Sequence, residues 1–302
     1  MHLFISNSSH RYFAKVFGVF LLLSWATSAI LMRMMPSHPW MIKDKQYMLF
    51  WKDSVIERYI REYRSKPIVI TGSSICQEIP PEGLRPTNVA TIYLFGSGGQ
   101  MGLELMDRIG AAPKIVLVEA TMLLQGVDQD LLDEELRPWT LWWHRIFPAF
   151  SKEMRPTNLY CKWAYGIPQL DTPRAATKAD ILSWVARYPD SAEPDPTKME
   201  QALAKTRHAA DHLRNRGSRV IFFTPLSPEL MKRPYFIKQF ATLRAGLQDY
   251  EWLPTTTDKS YYWTDGIHFY SKSGYRFFVY LMKTIGADSS GVIPNLLDPD
   301  NI

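Results

Sequence analysis

Cysteine is scarce in this chain. Its 302 residues include two, Cys76 and Cys161, and neither sits at a spacing from other ligands that would hold a metal. A disulfide scaffold is excluded, although the two thiols can either pair in an oxidising compartment or stay free. Charge is nowhere concentrated. There are 35 Lys and Arg against 30 Asp and Glu, a net charge of +5, without a basic run, which argues against nucleic acid as a partner. The small surplus suits either anionic envelope polymers and lipid headgroups or an ordinary surface. Neither Gly-x-Gly-x-x-Gly nor a glycine loop ending in Lys-Ser/Thr is present, so no phosphate-bearing cofactor is expected. There is no internal repeat.

Acids are missing from residues 1–15, which carry Arg11 and Lys15. Residues 16–32 follow without a charge, and Arg33 closes the stretch. Together with Tyr12-Phe13-Ala14 it approaches the ~20 residues that cross a bilayer. One reading is a signal peptide cut near Ala26-Thr27-Ser28-Ala29. The other, preferred because apolar residues continue through Ile30-Leu31-Met32, is an uncleaved transmembrane anchor within residues 1–35. Basic residues flank it on both sides, with Lys43 and Lys45 beyond Arg33, so the charge rule for orientation is two-sided. The N-terminus is placed inside, the rest outside the cytoplasmic membrane. Nothing later in the chain is comparable.

The remainder, 46 % apolar overall, is enough for one core. Residues 36–50 read as a juxtamembrane linker and 51–65 as a helix. Short β-branched or apolar runs at 67–70, 88–94, 114–119 and 219–224 alternate with helical stretches at 101–109, 198–216, 236–249 and 275–285. That alternation predicts a flavodoxin-like α/β domain over residues 65–290, a parallel sheet with helices on both faces. Residues 123–195 break the pattern as an insertion, and 291–302 form a tail. Within the insertion Leu141-Trp142-Trp143-His144-Arg145-Ile146-Phe147 is strongly aromatic, with Trp163 and Tyr165 following. It suits either the core of a helical lobe or a membrane, acceptor or partner surface. His208 and His212 are four apart on a helix, a metal-binding spacing, but no third ligand is close in sequence. They read as surface residues, and no metal site is expected.

Two stretches carry chemistry. Pro67-Ile68-Val69-Ile70 runs into Thr71-Gly72-Ser73-Ser74-Ile75-Cys76, which places a serine at the carboxyl end of a parallel strand, where open α/β sheets put their crevice. Gly72 is expected to allow a sharp turn and to leave room for substrate. A serine nucleophile needs a base. Thr264-Asp265-Gly266-Ile267-His268-Phe269 supplies a histidine to take the proton from Ser74 and an aspartate, Asp265, to orient it. Between them, Phe95-Gly96-Ser97-Gly98-Gly99-Gln100 joins a strand to a helix, a turn whose backbone N–H groups face the crevice.

Gly72-Ser73-Ser74 and Asp265-Gly266-Ile267-His268 resemble the first and last blocks of the SGNH (GDSL-type) hydrolase superfamily, Gly-Asp-Ser and Asp-x-x-His. The resemblance spans roughly residues 65–285. The Gly-Ser-Ser form is more similar to the membrane-anchored DltD and alginate O-acetylation branch than to secreted lipases. It implies Ser74 as nucleophile, with the Ser74 and Gly98 amides, and Gly99 close by, as the oxyanion hole. The third block departs from the family's Gly-x-Asn-Asp: Glu119-Ala120-Thr121-Met122 stands there, with Thr121 and Glu119 as possible auxiliaries. The resemblance implies O-acylation, above all acetylation, of an exported polysaccharide or envelope polymer, with the acyl group delivered by a multi-spanning membrane O-acyltransferase. An esterase with the same triad, and a non-catalytic assembly subunit of such a complex, are the alternatives.

Overall fold

A computed structural model describes residues 7–34, 45–62, 66–80, 85–146, 186–255, 261–263 and 267–287, with the side chains of the first helix described over residues 12–27. Among these residues five strands build one sheet: β1 (Ile68–Gly72), β2 (Val89–Tyr93), β3 (Ile115–Glu119), β4 (Arg219–Phe223) and β5 (Glu251–Trp252). Every pairing is parallel and the order is β2-β1-β3-β4-β5. All five residues of β1 and of β2 are buried. A strand buried at both odd and even positions is covered on both faces, which is why these runs read as continuous apolar stretches rather than alternating ones. Strand order reverses between β1 and β3, and the C-terminal ends of that pair open the crevice typical of such sheets.

The fifth strand was not expected. Residues 251–252 lie outside the runs that the sequence pattern marks as strands, because two residues carry no periodicity. Pairing with β4 makes them a strand: Phe222 stacks on Trp252 with ring centroids 5.2 Å apart and meets Tyr250 edge-on. The helices are α1 (Asn7–Met34), α2 (Lys45–Glu62), α3 (Gly99–Arg108), α4 (Gln129–Glu135), α5 (Pro138–Ile146), α6 (Pro196–Asn215), α7 (Pro228–Met231), α8 (Pro234–Gly246) and α9 (Ser271–Thr284). Asp195 caps α6 by accepting from the Thr197 and Lys198 amides, and Gly217 ends it at a φ of 93°. Such a left-handed residue after the last turn is the usual glycine stop. Helix α2 begins at Lys45, inside the stretch expected to be linker.

Among the described residues no helix is long and apolar enough to cross a membrane, so the expected transmembrane helix is not found. The segment does form a helix, α1, and its apolar side chains stand outside the core: Phe13, Phe17, Phe20, Leu22, Leu23 and Trp25 are all exposed. In α5 two tryptophans face outward. Trp139 is 67 % and Trp142 48 % exposed, stacked on each other at 5.1 Å. Trp163, Tyr165, Cys161 and the tail lie outside the described residues, while Cys76 is a buried free thiol.

Helix α3 leaves β2 and lies over β1 and β3, packed against α6. It fits because Gly102 has no side chain. A Cβ there would stand 1.9 Å from Thr71 Oγ1 and 2.7 Å from Thr71 Cβ. Gly102→Ala should therefore push α3 off β1 and destabilise the fold by about 1–3 kcal/mol. Urea unfolding measures this, and an unchanged or raised midpoint would contradict the packing described.

Candidate active site

Strand β1 ends at Gly72, and the chain turns at once into a single 3₁₀ turn, Ser74–Cys76. Ser73 caps that turn, its Oγ accepting from the Ile75 amide at 3.3 Å. The two serines are thereby sorted. Ser73 is buried and occupied with its own turn, while Ser74 is half-buried at the crevice. Gly72 is not needed for a positive φ. It is needed for space, since a Cβ would stand 2.4 Å from Cys76 Sγ and 2.8 Å from Glu119 Cβ. The room expected for substrate is taken by the protein itself.

His268 approaches from the far end of the chain. Its neighbours Ile267 and Phe269 are buried at 3 % and 1 % exposure, which fixes the loop on both sides and leaves His268 half-buried. Phe269 stacks on Trp263 at 4.1 Å, and the two residues form an antiparallel bridge. The Ser273 hydroxyl accepts from the Tyr262 amide at 2.7 Å, tying the loop to α9. Gly274 in α9 sits so close to the chain beyond the Ser74 turn that a Cβ would be 2.0 Å from the Glu78 carbonyl oxygen. That contact presses the His268 loop and the Ser74 turn together, and His268 Nε2 lies 2.9 Å from Ser74 Oγ. With the ring proton on Nδ1, Ser74 donates to Nε2, the arrangement a general base requires. Asp265, the expected orienting carboxylate, lies outside the described residues.

Glu119, at the end of β3, is fully buried. Its two oxygens accept from backbone amides on two different turns, Ser73 N and Met122 N, each at 3.0 Å. Among the described residues the partners of this possible auxiliary are backbone amides. It joins the turn that carries Ser74 to the turn that follows β3. Burial pushes its pKa up, and the amide of Ser73 works against that shift. The buried Cys76 thiol is pushed well up, first by desolvation and then by the nearby Glu119. Cys76 lies beneath the turn that carries Ser74, and the raised pKa disfavours its thiolate.

The glycine turn closes the third side. Gly98 caps α3, and the first amides of a helix have no acceptor within their own turn. A Cβ on Gly98 would stand 2.1 Å from the Met122 carbonyl oxygen, and one on Gly99 2.6 Å from that of Glu119. Thr71 donates to the Gly99 carbonyl at 3.2 Å. So Gly98 and Gly99 lie against the ends of β1 and β3, beside the Glu119 bridge. Thr121 is buried, and its carbonyl accepts from Gln239 at 2.7 Å. His208 and His212 do gain a third neighbour: Asp107 of α3 comes within reach, which no sequence spacing could show. No family model matches the chain, and no curated protein and no solved structure matches it either.

The Glu119 bridge has a measurable pH signature. A raised folded-state pKa means that the folded chain holds this proton to higher pH than the unfolded chain does. The contribution is full below the ordinary glutamate value and is lost as pH rises through the folded value. Glu119→Gln cannot titrate and turns an amide N–H₂ toward a backbone N–H, costing about 1–3 kcal/mol. Subtracting its urea-unfolding profile from the wild type's should leave a stability difference that falls with rising pH above the glutamate range. A flat difference would contradict the buried, strained carboxyl.

Proposed function

We propose that the chain is a serine acyl-ester enzyme of SGNH type that transfers an acyl group, most simply acetyl, to hydroxyls of an exported polysaccharide or envelope polymer. One observation carries this reading: Ser74 Oγ and His268 Nε2 are 2.9 Å apart at the crevice end of the sheet. The residues are 194 positions apart in sequence, and they meet where the two halves of the resemblance require. Ser74 attacks the acyl carbonyl as His268 takes its proton, and the tetrahedral oxyanion is held by the amides of Ser74 and Gly98. His268 returns the proton to the leaving group, and an acyl-serine remains. A sugar hydroxyl, deprotonated by the same His268, then takes the acyl group and frees Ser74. Asp265 is assigned the role of orienting His268.

We place the domain outside the cytoplasmic membrane, attached through α1. Its exposed apolar side chains have no place in the core, and lipid would cover them. No phosphate loop for a coenzyme A donor exists in the chain, so the acyl group is supplied by a multi-spanning membrane O-acyltransferase. The departure at the third block, where Glu119 is spent on backbone amides and no asparagine is present, favours one alternative: a non-catalytic subunit that keeps the site's architecture. Water in place of the sugar would make the same site an esterase.

A fluorophosphonate probe separates enzyme from subunit. Wild-type protein should be labelled on serine. Ser74→Ala and His268→Ala should lower labelling and turnover by several orders of magnitude. Ser73→Ala should cost about 1 kcal/mol of stability through its lost cap and keep the labelling. Full labelling of folded Ser74→Ala would end the proposal. Acetyl transfer to a polysaccharide acceptor, measured against hydrolysis alone, distinguishes transferase from esterase.

A further inference from the structure

We propose that Asp107, His208 and His212 form a binding site for a borderline divalent transition metal, zinc above all, that clips α3 to α6. His208 and His212 stand one turn apart on α6, and such i, i+4 residues share a face. Their rings lie 4.2 Å apart by centroid. Asp107, in the last turn of α3, brings its carboxylate to His212 Nδ1, with oxygens at 3.0 and 3.1 Å. One ligand atom from each of the three residues lies within 4.8 Å of the others. A tetrahedral zinc holds nitrogen and oxygen at about 2.0–2.2 Å, which places its ligand atoms about 3.4 Å apart. The His212–Asp107 pair is already at that scale, and exposed His208 needs only a side-chain rotation to complete the set.

The obvious alternative is an ion network alone. Arg216 donates to Asp107 Oδ1 at 2.8 Å and to the Asp107 carbonyl at 3.3 Å. That network accounts for Asp107, His212 and Arg216, but gives His208 no part. Arg216 donates to Oδ1, while Oδ2 faces only His212 Nδ1 at 3.0 Å, so a cation between those two atoms would replace that one contact and leave Arg216 on Oδ1. Two imidazoles and one carboxylate suit zinc, nickel or copper, whereas magnesium and calcium prefer all-oxygen sites. The site is open to solvent, so water completes the coordination. It is remote from Ser74. Asp107 lies at the opposite end of α3 from Gly98, about 13 Å along the helix at 1.5 Å per residue. The metal's role is to fasten two helices, one of which presents its N-terminus to the crevice.

The full chain in detergent, stripped with chelator, is titrated with zinc chloride by calorimetry and followed by thermal unfolding. One equivalent should bind saturably and raise Tm by about 4 °C at a hundredfold excess over Kd. His208→Ala should weaken binding by about tenfold or more and abolish the shift, with fluorophosphonate labelling of Ser74 unchanged. Excess magnesium should not compete. Absence of saturable binding, undiminished binding in His208→Ala, or equal competition by magnesium would each overturn the site and leave the Asp107–His212–Arg216 ion network alone.

Discussion

A fully buried carboxyl group holds this molecule's crevice in shape. Glu119 sits at the end of β3, fully buried, and each oxygen takes an amide from a different turn. Those turns leave β1 and β3, adjacent strands in register from Ile68↔Ile115 to Thr71↔Val118. Without the carboxylate, two backbone N–H groups would be buried without partners, a cost of about 1–3 kcal/mol each. Much else accommodates this bridge. Gly72 leaves room for Glu119 Cβ, Gly98 and Gly99 for the backbone that follows β3, and Cys76 fills the gap beneath. Desolvation opposes the charged form, so the arrangement is strained electrostatically while it is rigid geometrically. In the function proposed, proton transfer depends on that rigidity, which holds Ser74 and His268 within hydrogen-bond distance.

Much of this was legible from residues alone, for physical reasons. Strands β1 to β4 are short apolar runs bounded by breakers, and burial on both faces makes them conspicuous. Ser74 and His268 announce themselves because each lies in a compact local pattern. Other features depend on contacts between distant segments, and local pattern says nothing of those. β5 exists because Trp252 stacks on Phe222. Gly72, read as a turn residue, is a packing residue. Glu119 looked like a candidate for charge chemistry, yet its partners are amides 46 and 3 positions away. Gly274 had no signal beyond being a glycine in a helix, where it costs stability relative to alanine. A glycine kept against helix propensity is the one hint that another backbone comes close.

The molecule also presents features its sheet does not explain. The exposed apolar side chains of α1 and the stacked tryptophans of α5 lie outside the core, and large apolar surfaces mark contact with something. A membrane covers α1 in the function proposed, while the α5 tryptophans suit a bilayer interface or a polymer equally. At the opposite end of α3 from the crevice, two histidines and an aspartate join that helix to α6. The helix that presents Gly98 is thus held at both ends, by the Glu119 neighbourhood at its start and by Asp107 at its finish.

The central claim is that Ser74 is a nucleophile made competent by His268 and becomes acylated. The most direct measurement is peptide mass spectrometry after brief exposure to an activated acetyl ester and acid quench. The account predicts one acetyl group on the peptide containing Ser73 and Ser74, with fragmentation placing it on Ser74. An acetyl group on Ser73, or none on that peptide while the protein remains folded, would contradict it.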